Sequence, residues 1–305
     1  MKTLLLVDGN AMMHRAYHAL PSFKTKSGIP TNVVYGFFSM LQKAIVDFKP
    51  TNITICFDTP EQTFRNKLYK KYQAQRPSVD DEFKEQIPNV KKALDVSGIF
   101  RIEKEGYEAD DLIGTVAKQA QNKHMRVLIL TGDRDMMQLV NDFVFVVTPR
   151  KGLSNMCVVG KDEVCEKFNV PPEKIPDFKA LMGDPSDNYS GAKGIGPKTA
   201  AKLLQKFDSI EHLYKHLDEL EEKIRNLLIE HKKHVLLSKK LATIMTNVPM
   251  DLPVDTTHFV EFNPKLKEFL LSLEMRSLAK RLFEEKKPPI EKTVEKKHEP
   301  QMNLF

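Results

Sequence analysis

Cysteine is scarce in this chain of 305 residues: Cys56, Cys157 and Cys165 form an odd set with neither CxxC nor zinc-ligand spacing. That excludes a disulfide framework and a zinc site, and makes a reducing cytoplasm the expected location. Long apolar runs are missing as well. The N-terminal one, Leu4 to Val7, ends after four residues at Asp8, too short for the apolar stretch of a signal peptide. Elsewhere nothing approaches the roughly 18 to 20 apolar residues of a membrane span, so a soluble protein without membrane contact is expected. A large charge of one sign is absent too: 47 Lys and Arg stand against 41 Asp and Glu, and the net charge of +6 permits an acidic polymer as partner without demanding one. No internal repeat occurs. What the chain does have is 41% hydrophobic residues, enough for one large or two ordinary domains and incompatible with disorder throughout.

Short apolar, β-branched runs appear at 3–8, 52–58 and 126–133, and helical patterns at 33–48 and 110–123 lie between them. In the latter, Leu112, Ile113, Val116, Ala117 and Ala120 make one apolar stripe of the kind that packs a helix on a sheet. The alternation predicts an α/β fold, a mainly parallel sheet with flanking helices. Past Val147 the strand signals weaken; Pro171, Pro172 and Pro176 follow, and then Lys-rich helical sequence from 197 to 283. The expected division is an α/β core over 1–170, a helical subdomain over 171–285 and a flexible tail over 286–305. Lys286 to Pro300 has almost no apolar content to offset the cost of ordering, although the last five residues turn apolar again.

Each of the three strand candidates ends in an aspartate, and the carboxyl ends of parallel strands are where α/β sheets open their ligand crevice. Asp8, Asp58 and Asp133 should therefore converge. Glu108, Asp110 and Asp111 cluster at the predicted start of a helix, with Glu108 and Asp111 on one face; Asp135 lies two residues beyond Asp133, and Asp184 and Asp187 sit in a loop rich in Gly, Pro and Asn. Taken singly, each has an ordinary reading as a turn residue, an N-cap or a partner of the helix dipole. Jointly, nine carboxylates in one crevice would repel, raise each other's pKa values and destabilise the fold unless cations neutralised them. All-oxygen ligation suits Mg²⁺ or Mn²⁺. Two such ions about 4 Å apart would activate a water and stabilise the leaving oxygen in phosphodiester cleavage.

The segments VDGNAMMHRAYHALP, CFD, EADD, TGDRDMMQL and GDPSDNYSGAKGIGPKTA resemble, in order, the motifs of the 5′–3′ exonuclease domain of bacterial DNA polymerase I, over about residues 1 to 275. The resemblance implies a PIN-like nuclease core with a helical arch at about 61–97 and a helix–three-turn–helix subdomain. It assigns Asp8, Asp58, Glu108, Asp110 and Asp111 mainly to one metal site, and Asp133, Asp135, Asp184 and Asp187 to the other. With no polymerase sequence following, a free-standing family member is expected. The activity implied is a structure-selective 5′–3′ exonuclease and flap endonuclease acting on DNA with 5′ ends, flaps or RNA primers, in primer removal and repair. A flap-binding protein without efficient cleavage and a PIN-like RNase are the alternatives, the first opposed by the intact acidic set and the second by the duplex-holding segment.

That segment, GIGPKTAAKLL (194–204), is a glycine-rich turn opening a helix, where backbone N–H groups and the dipole can hold a phosphate; alone it is also simply a good helix start. Pro197 between Gly196 and Lys198 rules out a Walker A loop. By resemblance Gly194, Gly196, Lys198 and Thr199 contact the phosphates, with a bound K⁺. In FRNKLYKKYQAQRP (64–77), Arg65, Lys67, Lys70, Lys71 and Arg76 alternate with Phe64, Tyr69 and Tyr72, a mixture that can follow a backbone and stack on bases or equally form a solvated basic helix. The family's arch pattern is Tyr-Lys-x-x-Arg, whereas here Tyr72-Gln73-Ala74-Gln75-Arg76 puts Gln73 at the lysine position. Lys70, Lys71 or Arg76 is expected to supply the missing charge. Arg15 is a second phosphate clamp by resemblance. Finally Gln301, Met302, Asn303, Leu304 and Phe305 resemble the Gln-Leu-x-Leu-Phe peptide that docks bacterial replication proteins on the β sliding clamp, here at the end of a tether. A monomer, bacterial, cytoplasmic and nucleoid-associated, is expected.

Overall fold

The structure, a computed structural model, describes residues 1–149, 152, 155–250 and 254–284. Its main sheet contains β1 (Thr3–Asp8), β2 (Asn52–Phe57), β3 (Phe100–Glu103), β4 (Arg126–Leu130), β5 (Val144–Pro149) and β6 (Met156–Val159). The strand order is β3-β2-β1-β4-β5-β6, with β1 to β5 parallel and β6 antiparallel at the edge. Central strands β1 and β2 are buried on both faces, which is why they read as unbroken apolar runs rather than as alternation. Strand alternation still decides the faces. Leu5 and Val7 enter one core and Leu4 and Leu6 the other. Asp58 and Asp133, expected as last strand residues, lie in the loops just after β2 and β4.

On the first face pack α1 (Gly9–Ala19), α2 (Asn32–Phe48) and α4 (Asp81–Ser97), the last preceded by a short α3 (Phe64–Leu68). On the second face α5 (Ala109–Asn122) buries the expected stripe of Leu112, Ile113, Val116, Ala117 and Ala120. Beyond α6 (Lys161–Phe168) a third core gathers Phe178, Leu181, Ala200, Leu204, Phe207, Leu213, Leu228 and Val235. These belong to α7 (Ile175–Met182), α8 (Pro197–Phe207), α9 (Ile210–Lys215) and α10 (Glu222–Ala242), and a two-stranded ribbon of β7 (Gly183–Asp184) and β8 (Tyr189–Ser190) lies between α7 and α8.

Two placements differ from expectation. Helices α11 (Lys265–Ser272) and α12 (Arg276–Phe283), expected within the helical subdomain, return to the first core, where Leu266, Leu270, Leu278 and Ala279 pack with α2 and α4. Likewise α4 is no free-standing side of an arch, because Phe83, Val90, Ala93 and Leu94 bury its inner face in that core. The expected tail, with Gln301, Leu304 and Phe305, lies outside the described residues.

Candidate active site

Asp8 ends β1 and caps α1. Its carboxylate accepts from the Ala11 N–H (2.9 Å) and from the Thr131 hydroxyl (2.7 Å), a partner contributed by the loop after β4. Just past the neighbouring strand β2, Asp58 accepts from the Ala109 N–H at the start of α5 (2.7 Å), while its own N–H donates to Asn10 Oδ1 (3.2 Å). Hydrogen bonding between strand ends and helix starts therefore aims these side chains at one crevice. Burial, together with Asp58 and Asp133 nearby, pushes the Asp8 carboxyl up to about 7 despite the bonds that lower it. Burial likewise raises Asp58, and raises Asp110 well above the usual range, the latter reinforced by Asp133, Asp8, Glu108 and Asp58. Glu108, buried beside Asp111 and Asp58, rises to about 7 although Arg65 pulls it down. Asp8, Asp58, Glu108, Asp110 and Asp133 thus share one field.

Asp111 is different in kind. It is fully buried, and its two oxygens are held by Arg65 Nη1 (2.7 Å) and Nη2 (2.9 Å), by the Met245 N–H (2.9 Å) and by the Glu108 N–H (3.2 Å). No lone pair of a carboxylate so engaged is convenient for a metal. Arg65, expected along the DNA path, is a correction: only 2% exposed, it also donates to the carbonyls of Leu241, in the last turn of α10, and Thr243, just past its end. The Arg65–Asp111 pair fastens the helical part to the sheet. Gln138 does the same, donating to the Ala242 carbonyl and accepting from the Ile244 N–H.

A second group forms where β4's loop meets the β7–β8 ribbon. Carboxylate oxygens of Asp135, Asp184 and Asp187 lie within 4.8 Å of one another. Asp133 orders this loop by accepting from the Asp135 N–H (2.8 Å). Lys179, one turn before the end of α7, bridges Asp135 and Asp184, at 2.5 Å from the latter. Burial and Asp133 raise the Asp135 carboxyl to about 7 against that lysine. Asp184 is buried too, but the bonds from Lys179 and Ser186 hold it below its ordinary value. The buried Tyr189 hydroxyl faces the same three carboxylates without a hydrogen-bond partner among the described residues. Oxygen-only donors, mutual repulsion and an unpartnered hydroxyl beside them fit hard divalent cations.

The segment between α3 and α4 closes over this group. Asp187 accepts from Arg76 Nη2 (2.6 Å), Gln73 Nε2 (3.1 Å) and the Tyr72 hydroxyl (3.3 Å), and its carbonyl accepts from the Gln73 N–H. Gln73 takes a positive φ of 56° there. Tyr72 is 5% exposed, so its ring is packed rather than offered to a base. Lys67, Lys70 and Lys71 are exposed, and Arg15 donates to the Gly152 carbonyl. At α8, Gly196 is the N-cap with no side-chain bond to the helix start, Pro197 is the first helical residue, and Lys198 and Thr199 follow. Gly194 has φ +97° and Gly183 +80°, conformations in which a side chain would be strained. Thr131, Gln138 and Lys179 were not expected. Lys179 alone left a trace, a lysine five residues before Asp184.

A family model described as the 5′–3′ exonuclease N-terminal resolvase-like domain matches residues 3–169, and that of the 5′–3′ exonuclease C-terminal SAM fold matches 170–265. A 5′–3′ exonuclease of Aquifex aeolicus is 39% identical over 282 residues, 92% of this chain and 95% of that protein. DNA polymerase I of Bacillus subtilis is 43% identical over 263 residues, but the chain spans only 30% of that polymerase's length. Among solved structures, the T5 D15 protein co-crystallised with metal ions superposes with a TM-score of 0.65 at 17% identity, covering 92% of this chain and 97% of that one. The catalytic core of Rad2 in complex with DNA substrate gives 0.59 at 15%, covering 92% and 91%. At these identities the superpositions speak for the fold.

Proposed function

The chain belongs to the 5′–3′ exonuclease family, and from that premise we propose that it is a structure-selective 5′–3′ exonuclease and 5′-flap endonuclease. It is a nuclease acting on DNA. The observation that carries the finer reading is the crevice itself: Asp8 at the end of β1, Asp58 just past β2, and Glu108 and Asp110 at the start of α5 come together with pKa values raised by burial and by one another, beside a second acidic triad. Asp8, Asp58, Glu108 and Asp110 would hold one divalent cation, Mg²⁺ or Mn²⁺; Asp135, Asp184 and Asp187, with Asp133 beside them, would hold another. Bound there, the pair supplies an activated water and neutralises charge on the phosphate being cut. Asp111 is reassigned from ligand to positioning residue, holding Glu108 and Arg65 in place.

The remaining parts act on the substrate. Exposed Lys67, Lys70 and Lys71 and the half-exposed Arg76 present positive charge at the mouth, in the region where the family lysine is replaced by Gln73. The uncapped start of α8, with Gly194, Gly196, Lys198 and Thr199, would hold duplex phosphates through backbone N–H groups, with K⁺ at the turn. We further propose a cytoplasmic, nucleoid-associated monomer that removes primers and repairs DNA, docked on the β sliding clamp through Gln301, Leu304 and Phe305. Deleting 301–305 should abolish clamp pull-down without slowing cleavage of free oligonucleotides; an unchanged pull-down refutes the docking. Product mapping on labelled substrates tests the selectivity. Cuts at the flap junction and short products from recessed 5′ ends are expected, and equal cutting of 3′ flaps would overturn it.

A further inference from the structure

The two acidic groups differ in the positive charge that the chain itself brings to them. Asp8 and Asp58 rest on backbone amides and a hydroxyl, and Arg65 beside Glu108 is committed to Asp111. In the second group, internal cations sit on the very oxygens that a metal would need. The Lys179 ammonium, 12% exposed, bridges Asp135 and Asp184, and the Arg76 guanidinium holds Asp187 Oδ1 at 2.6 Å. Those carboxylates are the three whose oxygens gather within 4.8 Å.

An oxygen donating its lone pair to a divalent cation loses most of its value to a neighbouring ammonium, and in a confined, partly buried site the two cations repel. We infer that Lys179 and Arg76 are built-in competitors of the second cation, so that the second group loads more weakly than the first and loads fully only when both side chains find another acceptor. A DNA phosphate is such an acceptor: it accepts from Arg76 at the mouth and, deeper, from Lys179. By reciprocity, DNA strengthens binding of the second cation and the second cation strengthens binding of DNA. The premature loading of a complete hydrolytic centre on protein without substrate is thereby opposed by two residues of the chain. Gln73 and Tyr72 take part as neutral donors to Asp187, a grip weaker than a lysine's would be.

The inference rests on the reading of two cation positions, and one experiment separates the two. Mn²⁺ is titrated into the full-length protein without DNA, free Mn²⁺ being followed by electron paramagnetic resonance, so that no turnover is required. Wild type should show a tighter ion lost in Asp110→Asn and a weaker one lost in Asp184→Asn. Lys179→Met should tighten the weaker ion by about tenfold or more, the scale on which a nearby unit charge shifts a carboxylate's affinity for a proton. The tighter ion should not change. Arg76→Ala, at a side chain 54% exposed and therefore safe for folding, should act in the same direction. A weaker ion whose affinity is unchanged or reduced in both variants overturns the inference alone. No ion dependent on Asp184 in any of the proteins overturns the two-position reading along with it.

Discussion

Asp110 and Asp111 are neighbours in the chain and opposites in energetics. Asp110 is buried among like charges, so its ionised form is disfavoured; Asp111 is buried against the Arg65 guanidinium and the N–H groups of Met245 and Glu108. Removing the charge of Asp110 should therefore relieve repulsion, whereas removing that of Asp111 strands a buried guanidinium. Urea unfolding in EDTA should find Asp110→Asn at least as stable as wild type and Asp111→Asn less stable by about 3–5 kcal/mol, the cost of breaking a buried pair. If the two variants lose stability equally, the distinction drawn between them is wrong. Sequence placed both residues in the acidic cluster but could not separate them, since Arg65 lies 46 residues away and reads there as one more base in a basic run. At the arch, Gln73→Lys should change flap cleavage by less than about tenfold, because Lys70, Lys71 and Arg76 already supply charge. A hundredfold gain would show that they do not.

At the scale of elements, the site is made by where strands stop and helices begin. β1 and β2 end beside each other in register, with Val7 opposite Ile55 and Asp8 opposite Cys56, and α5 starts with its amides turned toward Asp58. Periodicity made β1, β2, β4 and α5 legible, because a doubly buried strand and an amphipathic helix leave plain patterns. It could not say that α4, α11 and α12 share a core, since an apolar stripe announces a partner without naming it. The β7–β8 ribbon rests on close backbone approach: a Cβ at Gly191 would lie 2.2 Å from the Leu181 carbonyl oxygen. Gly191→Ala should push the ribbon and the following turn away from α7, costing about 1–3 kcal/mol as an overpacked site does, and should weaken duplex DNA binding in a gel-shift titration. Wild-type affinity in that variant would mean that the turn does not hold the duplex.

Across the whole molecule the acidic crevice sets a pH dependence. Asp8, Glu108 and Asp135 have folded-state values pushed up to about 7, above those of the unfolded chain. Such groups contribute stability that is complete below the unfolded pKa and is lost as pH rises through the folded one. In EDTA the melting temperature should therefore fall between about pH 5 and pH 8. Divalent cations, which bind the ionised carboxylates, should raise it more at pH 8 than at pH 6, as scanning calorimetry can check. Cleavage of an end-labelled 5′-flap duplex in Mg²⁺ by wild type and by Asp110→Asn tests the metal-dependent nuclease activity most directly. Cutting at the junction that EDTA abolishes and the variant reduces by at least about a hundredfold, with flap binding retained, is the predicted result. Undiminished cutting by Asp110→Asn, or cutting that persists in EDTA, would contradict it.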